Sequence, residues 1–169
     1  SMFNARLIAV AAALLATAGA VQAQEWPTRP VTLVVTFAAG SGDDLVARSI
    51  APRLSELLGQ QVVIENVGGA GGMTGTSRVA KAAPDGYQIV LGGTGTFAAN
   101  QTLYKQPLYN ALTDFKPVVL IAEQPMVLIA RKELPVDNLK EFIAYAKANQ
   151  GKMQFGSGGP GSATHLACV

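Results

Sequence analysis

The sequence has one cysteine (Cys168), one histidine (His165) and few charges, with 14% Asp, Glu, Lys and Arg in 169 residues. A single cysteine forms no intrachain disulfide, and a thiolate metal site needs partners that the chain does not offer. Cys168 therefore reads as a small buried thiol. A lone imidazole builds a metal site only with carboxylates that the fold brings to it, so no metal, cofactor or catalytic residue is assigned. The net charge is +2, and its Lys and Arg residues are scattered. No basic tract follows a phosphate backbone, which argues against a nucleic-acid partner. Gly-Lys-Ser/Thr is missing, since Gly151-Lys152 runs into Met153. A P-loop is thereby excluded. Gly40-Ser41-Gly42-Asp43-Asp44-Leu45 puts leucine at the third glycine of a dinucleotide fingerprint, and its two aspartates would face the pyrophosphate.

Apolar residues are plentiful, at 49% of the chain. The first apolar run, Leu7 to Ala20, follows Arg6 and precedes Val21-Gln22-Ala23. A basic start, a short apolar stretch and a small-x-small site describe a secretory signal peptide over residues 1–23, with Gln24 as the first mature residue. The run is shorter than the roughly 20 residues a spanning helix needs. Without Arg6 the charge is +1, so bulk electrostatics selects no ligand.

Beyond it, strand and helix patterns alternate. Val31 to Phe37 is β-branched or apolar throughout, as suits a strand buried on both faces, and Gln61 to Glu65 and Tyr87 to Leu91 read as a second and a third strand. Leu45, Ile50, Leu54, Leu57 and Leu58 recur at helical spacing up to Gly59, with Pro52 expected to kink that helix or remove one of its hydrogen bonds. A glycine cluster, Gly68 to Gly75, leads into a helix ending at Ala83, and a short helix is expected over Ala98 to Tyr104. Phe115 to Ala122, Met126 to Ala130 and Met153 to Phe155 read as further strands. Leu139, Phe142, Ile143 and Ala146 mark an amphipathic helix stopped by Gly151, and a last helix starts at Ser162. Such alternation predicts an α/β fold with a largely parallel sheet. Gln124-Pro125 is a candidate crossover between domains or a simple loop.

Three loops share one design. Phe37 to Asp44, Gly92 to Thr96 and Gly156 to Thr164 each follow a strand, are rich in Gly, Ser and Thr, and lead into a helix. Loops of this kind gather at the carboxyl ends of parallel strands, where helix N-termini favour anions. Hydroxyls of Ser41, Thr94, Thr96, Ser157, Ser162 and Thr164 add donors, and none of the loops contains Lys or Arg. A carboxylate or phosphate would be held there by amides, hydroxyls and water. Asp43 and Asp44 suit helix capping. His165 reads as a helix-start residue near the pocket. The competing possibility is a secreted α/β hydrolase acting on a small acid or ester, with Ser162 and His165 as its pair. G-x-S-x-G is missing around Ser162, and no partner acid is evident.

Ordered blocks of the chain resemble one family. Arg29 to Val35 with Phe37, Gly40, Asp44 and Ala47-Arg48 is followed by Leu58-Gly59-Gln60, Val62 to Asn66, Gly69 to Gly72 and Ala82 to Tyr87. Leu103-Tyr104, Asp114 to Pro117 and Gly161-Ser162 with His165-Leu166-Ala167 complete the series. Together these look like the Bug-type extracytoplasmic solute receptors, the binding proteins of tripartite tricarboxylate transporters. The resemblance implies a type II periplasmic-binding-protein fold of two α/β lobes around a cleft. It implies a periplasmic receptor that captures a small carboxylate (a di- or tricarboxylate, an amino acid or an aromatic acid) and presents it to membrane permease subunits without catalysis.

The family's ligand loops fall on Phe37 to Asp44 and Gly156 to His165, one from each lobe. The expected contacts are Phe37, Gly40, Ser41, Asp44, Thr94, Thr96, Ser157, Gly158, Ser162, Thr164 and His165. Ala38 and Ala39 stand where the family has prolines, and Ser41 where it has a glycine, so the first loop is expected to be more mobile. The first lobe would span 24–123 and an incomplete, C-terminally truncated second lobe 124–169. Weak ligand binding or none, and self-association through exposed apolar surface, are the corresponding expectations.

Overall fold

The structure, a computed structural model, describes residues 25–169; the leader expected over 1–23 lies outside them. Three strands form its sheet. β1 (Val31–Val35) lies between β2 (Val62–Asn66) and β3 (Gln88–Leu91), parallel to both. Val35 pairs with Asn66 on one side and Leu91 on the other, so all three strands end level. The doubly buried character of VTLVV has its cause here, because a helix covers each face. Leu33 and Val35 pack with Ala47 and Ala51 of α1 (Gly42–Leu58), joined by Leu54 and Leu58. On the other face Val34 is fully buried against α2 (Met73–Ala80). Gly75 permits that approach: a Cβ there would stand 2.5 Å from the Val67 carbonyl oxygen and 3.4 Å from Val34.

α1 is capped at both ends. Ser41 is its N-cap and accepts from the Asp44 amide, and Gly59 closes it in the left-handed region at φ 65°. Pro52 leaves the helix continuous. The burial of Ala51, Leu54 and Leu58 around Pro52 offsets the hydrogen bond that proline cannot make. Ahead of β1, Arg29 lies 3.8 Å over the Tyr87 ring and pairs with Asp85, while Tyr87 Oη accepts from the Thr28 amide. These contacts fasten the lead-in to the turn before β3.

Beyond β3 come a π-helical turn (Gly95–Ala99), α3 (Asn100–Leu103), α4 (Leu139–Ala148) and α5 (Ala163–Leu166). Here the pattern-based expectations and the structure part. Phe115–Ala122, Met126–Ala130 and Met153–Phe155 form no strand ladder among the described residues. Their β-branched and apolar composition suits a strand, but a strand exists only against a hydrogen-bonded neighbour. α4 carries its apolar stripe yet buries none of its residues. Cys168, expected to be buried, is exposed. Among the described residues no helix is long and apolar enough to cross a membrane.

Candidate functional site

The strand order β2-β1-β3, with α1 and α2 on opposite faces, makes the carboxyl end of β1 a topological switch point, the place where open α/β sheets form a crevice. The Phe37–Asp44 and Gly92–Thr96 loops leave the sheet at this edge. The Gly156–Thr164 loop is distant in sequence but joins them. A Cβ at Gly158 would stand 3.5 Å from the Phe37 ring. All three glycine-rich loops of the sequence therefore meet at one crevice.

The third loop is seated by backbone against backbone. A Cβ at Gly71 would stand 2.6 Å from the Pro160 carbonyl oxygen and 2.8 Å from Gly161 Cα. One at Gly95 would stand 2.6 Å from the Gly161 carbonyl oxygen and 2.8 Å from the Ala163 nitrogen. Asn100 donates from Nδ2 to the Gly71 carbonyl at 2.9 Å, and Tyr104 Oη donates to the Pro160 carbonyl at 3.1 Å. The loop expected from the opposing lobe thus rests directly on the elements that follow β2 and β3.

The expected site residues divide by exposure. Phe37, Gly40, Ser41, Thr94, Ser157, Gly158, Thr164 and His165 remain accessible at the crevice. Ser157 Oγ lies 3.0 Å from His165 Nδ1, and Thr164 Oγ1 accepts from the Gly158 amide at 3.0 Å. Asp44, Thr96 and Ser162 instead face inward, at 1%, 1% and 3% exposure. The Thr96 hydroxyl turns to the Gly71 carbonyl, and the Thr96 carbonyl accepts from Tyr109 Oη. Ser162 Oγ donates to the Gly159 carbonyl at 2.7 Å and accepts from the His165 amide, as the N-cap of α5. These three side chains hold loops in place. The Ser162–His165 pair of the hydrolase alternative is not formed: Ser162 caps the backbone of His165, and the imidazole faces Ser157.

Asp44 is held most firmly. Its carboxylate accepts from Arg48 Nε at 2.9 Å, from the Gly40 amide at 2.8 Å and from Asn66 Nδ2 at 2.9 Å. Those bonds, led by Arg48, lower its pKa from 3.8 to about 2. A depressed folded-state pKa stabilises above the ordinary value and is lost as pH falls through the folded one. Asp44 therefore supports the fold fully above pH 3.8 and releases it near pH 2. An NMR titration should show the Gly40 amide resonance following Asp44 with a midpoint near 2, and a midpoint at the ordinary 3.8 would refute the arrangement. Asp43, one residue earlier, is pushed upward by burial.

Sequence reasoning missed Asn66, Asn100 and Tyr109 as supports and Gln124 as a neighbour. Gln124 Oε1 lies 3.0 Å from where a Gly42 Cβ would stand, over the first turn of α1. Each acts across a long sequence separation that no local pattern records. Among the described residues no group of three His, Cys, Asp or Glu gathers to hold a metal.

The chain matches the model of the tripartite tricarboxylate transporter family receptor over residues 46–168. A protein of Agrobacterium vitis, described as a UPF0065 protein in the TAR-I ttuE-ttuC' intergenic region, is 43% identical across 98% of this chain and 48% of its own. Among solved structures, the periplasmic binding protein BugD superposes with a TM-score of 0.80 at 47% identity, over 85% of this chain and 48% of its own. MatC from Rhodopseudomonas palustris, with bound malate, superposes with a TM-score of 0.81 at 40% identity, over 85% of this chain and 49% of its own. The chain spans about half the length of these relatives. Their fold is the α/β periplasmic-binding-protein fold found here, and by the match over residues 46–168 the chain belongs to the tripartite tricarboxylate transporter receptor family.

Proposed function

We propose that this chain is the ligand-capturing part of a periplasmic solute receptor for a small carboxylate, which it passes to the permease subunits of a tripartite tricarboxylate transporter without catalysing a reaction. One observation carries the proposal. Amides and hydroxyls from three glycine-rich loops converge at the switch point of the sheet, and no Lys or Arg belongs to any of those loops. A carboxylate at this crevice meets the N-terminal amides of α1 and the hydroxyls of Ser41, Thr94, Ser157 and Thr164. Asp44 does not repel it, because Arg48 and two N–H donors neutralise that carboxylate. His165 orients the Ser157 hydroxyl. Capture without a fixed cation suits a carrier, since a ligand held by amides and hydroxyls can also be released. Lobes at 24–123 and 124–169 would close on it.

The relative with bound malate supports a dicarboxylate among the ligands. Calorimetry of the chain against malate, adipate, citrate, glutamate and benzoate tests this, with malamide as the uncharged control. Saturable binding of at least one acid is expected, with Kd of roughly 1 mM or tighter, about 4 kcal/mol. Equal response to malate and malamide, or no saturable heat from any acid, overturns the proposal.

A further inference from the structure

Two backbone atoms bracket the turn after β1: the Phe37 carbonyl at its entrance and the Gly40 amide at its far end. Side chains from outside the turn hold both. Asn66, the last residue of β2, donates from Nδ2 to the Phe37 carbonyl at 3.1 Å and to Asp44 Oδ1 at 2.9 Å. Asp44 Oδ2 accepts from the Gly40 amide at 2.8 Å and from Arg48 Nε at 2.9 Å. Arg48 Nη2 closes the ring on Asn66 Oδ1 at 3.2 Å. The end of β2 and the first turn of α1 thus grip both ends of a four-residue turn. Every oxygen in the ring has a donor, which lets a network centred on the buried Asp44 carboxylate stiffen its surroundings.

We infer that Asp44, Asn66 and Arg48 form a positioning clamp that fixes the Phe37–Gly40 turn in its ligand-accepting shape. Ala38 and Ala39 put no covalent restriction on the turn, and two side-chain anchors, at the Phe37 carbonyl and the Gly40 amide, restrict it instead. The turn expected to be more mobile is thereby held. A turn ordered before the ligand arrives spares the complex an ordering cost. The functional meaning of the clamp rests on the carboxylate-receptor proposal, but its existence is tested without ligand.

Asn66→Asp is the decisive variant. It keeps the side chain's shape, deletes both Nδ2 donors and sets a like charge beside Asp44. By NMR hydrogen exchange on the 169-residue chain, the Gly40 amide should exchange about 10-fold faster or more, as for the loss of a charge-assisted bond, while the Val34 amide in the sheet changes little. Arg48→Ala, at a side chain 53% exposed, should act in the same direction and more weakly without threatening the fold. Affinity for the tightest acid of the panel should fall with the loss of Gly40 protection. Unchanged Gly40 exchange, or equal acceleration at Gly40 and Val34, overturns the clamp. Gly40 release with undiminished affinity overturns its role in binding. Failure of the unmodified chain to bind any acid counts against the receptor proposal alone, because Gly40 exchange reads the clamp independently.

Discussion

Gly161→Ala is expected to destabilise the chain by about 2–4 kcal/mol, whereas Gly159→Ala, two residues away, should cost only about 1 kcal/mol. Both glycines sit at φ 87°. Both substitutions therefore carry the same left-handed backbone penalty, and their surroundings set them apart. Nothing lies within 4 Å of a Cβ at Gly159. A Cβ at Gly161 would drive into Asn100 Oδ1 and stand 3.1 Å from the Tyr104 ring. Asn100 cannot retreat, being fully buried with its Nδ2 bound to the Gly71 carbonyl. The difference between the two urea midpoints measures the seating of the third loop. Equal costs would mean that the loop is not docked on Gly71 and Gly95. The Gly161 variant should also open the Pro160 region to proteolysis, because the Tyr104 and Asn100 contacts would part together.

Tyr109→Ala should cost about 3–5 kcal/mol, the range for deleting a buried aromatic ring. Tyr109 is 4% exposed, and its hydroxyl donates to the Thr96 carbonyl inside the turn that supports the crevice. Its ring meets Phe115 edge-on at 5.8 Å, and Phe115 meets Phe97 in the same manner at 5.8 Å. Two contributions are separable. Tyr109→Phe keeps the rings and leaves the Thr96 carbonyl without its donor, for about 1–3 kcal/mol. Tyr109→Ala removes the packing as well. Denaturant unfolding of the two variants tests the partition, and an alanine variant no worse than the phenylalanine variant would assign the whole effect to the hydrogen bond. Near-ultraviolet circular dichroism should weaken in the alanine variant, since three aromatic rings lose their fixed geometry.

How much of this could be read from residues alone follows a physical line. β1 was legible because VTLVV is β-branched or apolar at every position, as suits a strand covered on both faces. α1 was legible because Leu45, Ile50, Leu54, Leu57 and Leu58 keep a helical spacing up to Gly59, although the N-cap is Ser41 and not Asp43 or Asp44, of which capping was expected. The meeting of the first two loops was legible because parallel strands send their carboxyl ends to one edge, but the third loop follows no strand ladder and is brought there by packing on Gly71 and Gly95. Contacts between distant polar residues were not. Asn66 looks like the end of a strand, and its bonds to Phe37 and Asp44 span 29 and 22 positions. Asp44 and Ser162 carry the chemistry of ligand contacts, but a hydroxyl or carboxylate that caps a helix has the same local sequence as one that faces a crevice. Phe115–Ala122 and Met126–Ala130 have strand composition, and composition does not state whether a neighbour is in place.

Those last two stretches have a consequence for how the protein must be handled. Val118 to Ala122 and Met126 to Ala130 hold no charge, and their large side chains run from 42% to 86% exposed. Short, uncharged, β-prone windows are the seeds of cross-β stacking. What breaks the run is the punctuation around it: Lys116-Pro117 before the first window, Glu123-Gln124-Pro125 between them and Arg131-Lys132 after the second. Charges and prolines at such positions act as gatekeepers, since neither stacks in register nor completes a ladder. Resistance of these windows to stacking is expected to rest on six flanking charges and prolines, and any redesign of the segment has to leave them standing.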